Sequence, residues 1–347
     1  EPQPVNPHDR ERLAGASSNG SAVVVTNGEV DMALGGDQGG SIRLPASWSG
    51  CYGIKGTHGL VPYTGIFPIE LTLDHVGPMA RTAEDCARML EVLAGSDGLD
   101  PRQYDVRTAK YTESLSEDLT GIRIGILREG FGIAGVSESD VDAAVKEAIS
   151  VLEKVGARAT EVSVPMHNDG LALWSAIAFE GATELMVRGD GYGTNWRGHY
   201  STQLMDFYGR ARRARGHDFS DTVKMTVLAG HYMSEQYNRH YYGKAQNIGR
   251  RLARDYDKAL QEYDLLIMPT TAMKAVKRPA DKSLNSTLAG ALSNLHNTAP
   301  FDVSGHPAMS VPVGFSEGLP VGMQLVGRRW DEATVLKVAH AYQVAIG

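Results

Sequence analysis

The alternation of apolar and polar positions along the chain predicts an α/β protein. Short apolar runs typical of strands occur at 30–34, 122–127, 162–164, 265–268, 308–313 and 321–326. Apolar residues at helical spacing predict amphipathic helices at 82–94, 141–152 and 331–345. Thr82 is placed to cap the first of these helices, and Gly156 follows the second where a left-handed residue is favoured. Strands that alternate with helices indicate a layered α/β fold.

The other segments predict how the chain is divided. Residues 166–262 show a mainly helical pattern, which we interpret as an insertion or cap between a first core part, residues 1–165, and a second core part, residues 263–347. Residues 30–34 are expected to form a buried strand. The stretch 45–80 is rich in glycine and proline, which favours extended pieces and turns.

The composition limits the classes of partner. The chain of 347 residues carries 34 Lys and Arg against 41 Asp and Glu, a net charge of −7. This balance argues against nucleic acid or an anionic membrane as the main ligand, because binding either is carried by basic residues. Cys51 and Cys86 offer neither a disulfide framework nor a metal-binding spacing, and they favour a reducing cytoplasm. No run of 18 consecutive apolar residues occurs, so no membrane span is predicted.

The stretch GGDQGGSIRLP at 35–45 places glycines, Asp37 and Gln38 before a single hydroxyl, that of Ser41. A phosphate-binding loop would need a lysine after the last glycine, and a plain turn has little use for the polar residues. The third interpretation is an acyl-transfer nucleophile, because glycine N–H groups are unshielded donors for an oxyanion. Ser41 would attack a carbonyl beside the backbone N–H groups of Gln38, Gly39, Gly40 and Ser41.

A second serine-rich stretch, GASSNGS at 15–21, lies just before another apolar segment. On its own it is compatible with a solvent-exposed loop or a helix cap. The two stretches are separated by one predicted strand, so they could meet at one end of a sheet. The GxSxG pattern of α/β-hydrolases is absent from the chain around Ser41, so the base that serves this serine need not be a histidine.

Together the two stretches resemble the signature of the amidase signature family. GASSNGSA is similar to the family's GGSSGGSA turn, and GGDQGGSIRLP to its G-[TD]-[DQ]-x-GGSIR-x-P block, with Asp37 and Arg43 in place. The resemblance continues through GIKGTHGLVPYTG, DHVGPMART, LLIMPT and FDVSGHPAMSVPVG, and it covers nearly the whole chain. GDQGGS followed by GLVPYTGIFPIE is especially similar to the amidases that accompany bacterial nitrile hydratases. The fold implied is a mixed β-sheet core flanked by helices.

The resemblance implies hydrolysis of a carboxylic amide to the acid and ammonia through an acyl-enzyme, with no metal or organic cofactor. Ser41 is implied as the nucleophile, and Ser17, on a cis peptide bond in the family, as the relay of the proton between Ser41 and a lysine. Ser18 is adjacent, but the spacing to Ser41 favours Ser17. Asp37 and Arg43 are implied to pair and hold the loop, although Asp37 could also touch substrate. The implied partners are a small-molecule amide and a second copy of the chain in a homodimer.

The implied lysine has no counterpart at the expected place. In the family it lies several dozen residues before the cis-serine, whereas no lysine precedes Ser17 here. The lysine is therefore expected outside this chain, with the family's N-terminal region missing from it. Lys55, within GIKGTHG, matches a structural lysine of the family and is not a substitute.

Several alternatives stay open. The chain could act on esters or carbamates, or belong to an amidotransferase that acts on aminoacyl-tRNA, although its acidic balance counts against RNA. It could also be a catalytically inactive member that serves as a binding protein. A Ser-His-Asp hydrolase would need His306 or His340 to reach Ser41. Tyr192 and Trp196 could line an acyl pocket or belong to the core or the surface.

Overall fold

The computed structural model describes residues 4–279, 283, 285–286 and 294–347. The strands are β1 Met32–Asp37, β2 Tyr52–Lys55, β3 His75–Ala80, β4 Arg123–Leu127, β5 Arg158–Val162, β6 Leu265–Pro269, β7 Ala308–Ser316 and β8 Leu319–Gly327. The α-helices are α1 Asn19–Thr26, α2 Arg43–Ser49, α3 Ala83–Leu93, α4 Ser139–Lys154, α5 Gly170–Ala182, α6 Thr202–Arg215, α7 Asp221–Tyr237, α8 His240–Glu262, α9 Ala299–Ser304 and α10 Glu332–Ile346.

The strands form one mixed sheet in the order β1-β3-β2-β7-β8-β6-β4-β5. Strand β4 runs parallel to both β5 and β6, and the other neighbouring strands pair antiparallel. Parallel neighbours need a crossover connection, and α4 supplies it between β4 and β5. The mixed sheet that the family resemblance implies is thereby confirmed.

Helices cover both faces of the sheet, and alternate residues of each strand enter different cores. Leu265 and Ile267 of β6 pack in the cluster that contains α3, α4 and α10, whereas Leu266 and Met268 pack in the cluster that contains α5, α8 and α9. This period of two is the geometry of an extended strand buried on both faces. The second cluster adjoins the serine motifs, so the site lies on that face.

Two predictions near the serine motifs were wrong. The strand expected at 30–34 is β1, and it lies at the edge of the sheet with Met32 and Leu34 39% and 47% exposed, rather than buried. Residues 43–49, partly within the stretch expected to be extended, form the helix α2. Pro45 is compatible with this helix because it occupies the first turn, where a backbone N–H has no partner within the helix.

The middle of the chain carries the predicted helices, while its division into core and insertion stays a prediction. Within the helical stretch Pro165–Arg188, which has 24 residues, a window of 18 residues has a mean hydropathy of 1.2, so by length and composition alone the stretch could cross a membrane. Half of that window is buried within the fold. Its main segment, α5, packs against α7, α8 and α9, as a core helix does.

Candidate active site

The two serine motifs meet at one end of β1, as the sequence predicted. The backbone N–H of Ser18 donates to the carbonyl oxygen of Ser41 at 3.2 Å. The Ser18 hydroxyl accepts from the Gly36 N–H and donates to the Gly36 carbonyl, both at 3.1 Å. Ser18 therefore fastens α1 to β1, and this structural role leaves Ser17 as the serine that faces the cavity beside Ser41. The peptide bond between Ala16 and Ser17 is cis, as the resemblance implies.

A cavity of about 240 Å³ opens beside these serines. Its polar rim includes Ser17, Gln38, Gly39 and Ser41. Most of its wall is apolar, with side chains that include Leu73, Trp174, Phe179, Met186, Val227 and Leu295. Neither serine hydroxyl hydrogen-bonds to another group within the described residues, so both are free to meet a ligand.

The backbone of residues 38–41 is oriented by hydrogen bonds to its carbonyl groups. The Trp174 indole N–H donates to the Gln38 carbonyl at 2.5 Å, and the Thr298 hydroxyl donates to the Gly39 carbonyl at 2.6 Å. In a trans peptide the N–H points away from the preceding carbonyl, so fixing the Gln38 carbonyl also fixes the direction of the Gly39 N–H. The loop is therefore a rigid arrangement of donors rather than a flexible turn.

One of the predicted oxyanion donors has a different role. The Gly40 N–H donates to the Asp37 carboxylate at 2.6 Å, so it is already used within the loop. Gly40 has φ +137°, and a Cβ there would lie 2.4 Å from the Thr298 hydroxyl oxygen, which explains the glycine. Within the described part of the chain, the N–H groups of Gln38, Gly39 and Ser41 have no protein acceptor. These three amides are the available oxyanion donors.

Asp37 and Arg43 form the predicted pair beneath the loop. Arg43 Nε and Nη2 donate to the two Asp37 carboxylate oxygens, each at 3.0 Å, and both side chains are fully buried. Arg43 Nη2 also donates to Asp302 at 2.6 Å. Asp37 does not line the cavity, so the structure gives it the role of holding the loop and not of touching substrate.

The ionisation of Asp37 and Asp302 depends on the guanidinium of Arg43, with which both carboxyl groups pair. Burial acts to raise the pKa of Asp37, but the charge of Arg43 overcomes it and holds the pKa at about 2. For Asp302, burial and the neighbouring Asp37 raise the pKa well above its ordinary value. The shared environment therefore separates the two carboxylates, because it favours the charged form of Asp37 and the protonated form of Asp302.

The possible bases named from the sequence lie outside the cavity. Lys55 is fully buried, its ammonium donates to the His306 carbonyl at 2.6 Å, and burial lowers its pKa to about 8. His306 lies between the Ser304 hydroxyl at 3.0 Å and the Asp257 carboxylate at 3.1 Å. This Ser-His-Asp chain is structural, because no histidine, lysine or arginine of the described residues lines the cavity.

The aromatic wall of the cavity was not found from the sequence. Tyr192 and Trp196 stack on each other with ring centroids 6.0 Å apart, and neither lines the cavity. Trp174 and Phe179, both on α5, take that place. They lie more than 130 residues from Ser41 in the chain, and the only signal was the strongly apolar character of α5.

A further buried carboxylate near the cavity makes stability depend on pH. Asp74 accepts the N–H groups of Ile69 and Glu70, and burial raises its pKa from 3.8 to about 8. The unfolded chain loses this proton near pH 3.8 while the folded chain keeps it to about pH 8, so the free energy of unfolding falls as pH rises through that window. We expect Asp74→Asn to flatten the decrease in Tm between pH 5 and pH 8, measured by circular dichroism.

Asp31→Asn is the matched control, because the Asp31 side chain is 87% exposed. Its Tm should keep the pH dependence of the unmodified protein. An Asp74→Asn protein with that same dependence would show that Asp74 is ionised in the folded chain.

The chain is similar to known proteins over nearly its whole length. The family model described as Amidase matches residues 2–336. An enantioselective amidase of Rhodococcus rhodochrous is 47% identical over 353 aligned positions, which cover 100% of this chain and 67% of that protein. A component of the glutamyl-tRNA(Gln) amidotransferase of Geobacillus thermodenitrificans is 39% identical, covering 98% of this chain and 69% of its own length. The crystal structure of the peptide amidase from Stenotrophomonas maltophilia superposes with a TM-score of 0.76 at 27% identity. The match covers 98% of this chain and 67% of the peptide amidase.

Proposed function

Because the chain belongs to the amidase family, whose model spans nearly all of it, we propose that Ser41 carries out amide hydrolysis in the apolar cavity. Enzymes of this family hydrolyse amides through an acyl-enzyme, and this chain is an amide-hydrolysing enzyme of that kind. The observation that carries the residue assignment is the position of Ser41 and Ser17 on one cavity rim, with the amides of Gln38 and Gly39 beside them.

The steps follow from these positions. The Ser41 oxygen attacks the amide carbonyl while its proton passes to Ser17, and the oxyanion is held by the free backbone N–H groups of the loop. The same relay returns a proton to the departing ammonia, which leaves an ester between Ser41 and the acyl group. Water then hydrolyses this ester and releases the acid.

The final base of the relay is proposed to be a lysine outside residues 1–347. Two observations support it: no lysine among the described residues lines the cavity, and the chain spans 67% to 69% of the length of its relatives. Adding the N-terminal segment of the R. rhodochrous relative to this chain should then raise ammonia release, and the same fusion with its lysines changed to alanine should not.

The acyl group is proposed to be apolar and of moderate size. An apolar cavity of about 150 Å³ can hold benzene, so about 240 Å³ accommodates an aryl or branched alkyl acyl group. Glutamine as the amide substrate would bring a free carboxylate, which needs a cationic partner that the described cavity wall lacks. Ammonia release from aryl and alkyl amides, compared with glutamine and with matched esters and carbamates, tests this assignment. No release from any amide by the fusion with the added N-terminal segment would leave ester cleavage, carbamate cleavage or a binding role.

The loop geometry gives a matched pair of substitutions. A Cβ at Gly39 would lie 2.7 Å from the Trp174 ring, so Gly39→Ala must displace the indole that orients the oxyanion donors. We expect kcat/KM to fall by about a hundredfold, the effect of losing one such donor. At Gly36 the nearest atom is 3.6 Å away, so Gly36→Ala should keep kcat/KM close to that of the unmodified protein. Equal losses in both variants would contradict this role of Trp174.

We also propose a cytoplasmic homodimer. Cys51 and Cys86 are both buried free thiols, which fits a reducing compartment. Exposed Phe207, Leu228 and Tyr232 on α6 and α7 offer apolar surface to a second copy. Sedimentation velocity of the purified chain measures the oligomeric state.

A further inference from the structure

Among the described residues that line the cavity, Glu70 is the one with an acidic or basic side chain. It precedes β3 in the chain and is 4% exposed, so its carboxylate is almost entirely removed from bulk water. Its neighbours on the wall, Ile69 and Leu73, are apolar. A charge in such surroundings is expensive unless something compensates it.

The hydrogen bonds around Glu70 show that it is an acceptor on both oxygens. The Tyr242 hydroxyl donates to Oε1 at 2.9 Å, and the Thr72 N–H and hydroxyl donate to Oε2 at 2.7 Å and 2.6 Å. The Gln246 amide in turn donates to both hydroxyls, at 2.8 Å to Thr72 and 3.2 Å to Tyr242. Burial raises the pKa of Glu70, and these donors act against it. Each hydroxyl has its proton directed at Glu70, which favours the carboxylate over the protonated acid.

No cation of the described chain pairs with this carboxylate. The Arg102 guanidinium binds the neighbouring backbone, where it donates to the Leu71 and Asp74 carbonyls and to the Asp100 carboxylate. Buried charges in proteins are normally paired, and neutral donors alone compensate this one. A positive group that entered the cavity would complete the pair.

The carboxylate is also held rigidly. The Glu70 N–H donates to Asp74 at 3.2 Å, and the Glu70 carbonyl accepts from the N–H groups of Leu73 and Asp74 at 2.9 Å. On the facing helix α5, a Cβ at Gly181 would lie 2.1 Å from Glu70 Cγ, so the glycine makes room for the side chain. Such a fixed group recognises a ligand without first being ordered.

We propose that Glu70 determines specificity by binding a protonated amino group on the acyl part of the substrate. This inference rests on the proposed function and names its substrate class: amides of apolar amino acids, with an ammonium and a hydrophobic side chain but no free carboxylate. The apolar wall takes the side chain, Glu70 takes the ammonium, and the hydroxyl oxygens of Thr222 and Thr226 on the same wall accept its other N–H groups.

Ligand binding to the Ser41→Ala protein tests this without requiring turnover. Phenylalaninamide and 3-phenylpropanamide differ by the amino group, which is protonated at about pH 6, below the α-amino pKa of about 7.7–8.0. We expect isothermal titration calorimetry to give a Kd at least about tenfold lower for phenylalaninamide, since a hydrogen bond to a charged group contributes at least that factor. Equal or tighter binding of the neutral amide would overturn the proposal.

Glu70→Gln in the Ser41→Ala protein then assigns the preference to this residue. The amide keeps the shape of the side chain and removes its charge, so the two Kd values should converge to within about twofold. Glu161→Gln removes an exposed carboxylate on β5 and should keep the preference. A preference that survives Glu70→Gln would place the ammonium elsewhere. Failure of the proposed function would appear separately, as no ammonia release from any amide by the fusion that retains Ser41 and carries the added N-terminal segment.

Discussion

Replacing Ser41 with alanine in the fusion that carries the added N-terminal segment is expected to lower kcat for amide hydrolysis by at least about four orders of magnitude, because loss of a serine nucleophile or its base costs about a millionfold in a well-studied serine protease. Ser17 also lies on the cavity rim, but the proposed mechanism uses it as the proton relay and not as the nucleophile. A water molecule attacking in place of Ser41 would keep only the help of the oxyanion donors.

The fold should be unaffected by this substitution. Ser41 is half-buried at the start of the turn into α2, and its hydroxyl makes no hydrogen bond to the described residues. The Tm of Ser41→Ala should therefore match that of the unmodified protein, and loss of activity would be a loss of chemistry. Ser21→Ala, which removes a surface hydroxyl bonded to the Leu34 carbonyl, is the matched control and should retain activity.

The acyl-enzyme gives a second measurement. Brief mixing with a good ester or amide substrate, followed by acid quenching and peptide mass spectrometry, should place the acyl group on the peptide that contains Ser41. The Ser17→Ala protein should form this adduct more slowly and still on Ser41, since Ser17 moves protons and is not acylated. An adduct on Ser17, or full activity in Ser41→Ala, would contradict the assignment of the nucleophile.

The sequence predicted correctly those features that depend on contacts between residues close together in the chain. The Thr82 cap of α3 is an example, since its hydroxyl accepts the Asp85 N–H three residues later, as the sequence pattern predicted. The pairing of Asp37 with Arg43, which the family resemblance implied, also joins residues close in the chain, six positions apart. The edge position of β1 could not be predicted, because burial of a strand depends on which strands lie beside it.

The residues that form the walls of the site could not be predicted from the sequence either, because their positions also depend on neighbours that are distant in the chain. Trp174, Thr298 and Glu70 reach the cavity or its loop from three different parts of the chain. Their roles arise from contacts such as the Trp174 bond to the Gln38 carbonyl, which spans 136 positions. The type of a side chain does not indicate which distant residue it will contact. The serine motif could be recognised because its functional residues are adjacent in the sequence.

Arg43→Met is expected to lower the free energy of unfolding by about 3–5 kcal/mol, the cost of breaking a buried ion pair by removing one partner. Arg43 is fully buried and donates to Asp37, to Asp302, to the Thr298 carbonyl and to the Gln324 amide oxygen. Through these contacts it joins the nucleophile loop to α9 and β8. Its loss leaves the Asp37 charge buried without its principal cation.

The pH dependence distinguishes this cause from a simple packing defect. With Arg43 present, the pKa of Asp37 is about 2, so the carboxylate contributes stability above its unfolded value of 3.8 and loses it only as pH falls toward about 2. Without Arg43, burial raises this pKa, so ionised Asp37 becomes unfavourable as pH rises above 3.8. The destabilisation by Arg43→Met should therefore be larger at pH 7.5 than at pH 4, when both proteins are unfolded with urea.

Arg123→Met provides the matched control for loss of an arginine and its ion pair. Arg123 pairs with Asp264 at the surface, where its side chain is 49% exposed, and Arg328 remains as a second partner of that carboxylate. Exposed pairs contribute about 0–1 kcal/mol, so this variant should lose no more than that. Two results would contradict this explanation: a similar loss of stability in both variants, or a loss in Arg43→Met that is the same at pH 4 and pH 7.5. Either result would show that Arg43 does not stabilise the fold by compensating the charge of Asp37. A larger loss at neutral pH would instead show that the nucleophile loop is held in place by this buried guanidinium.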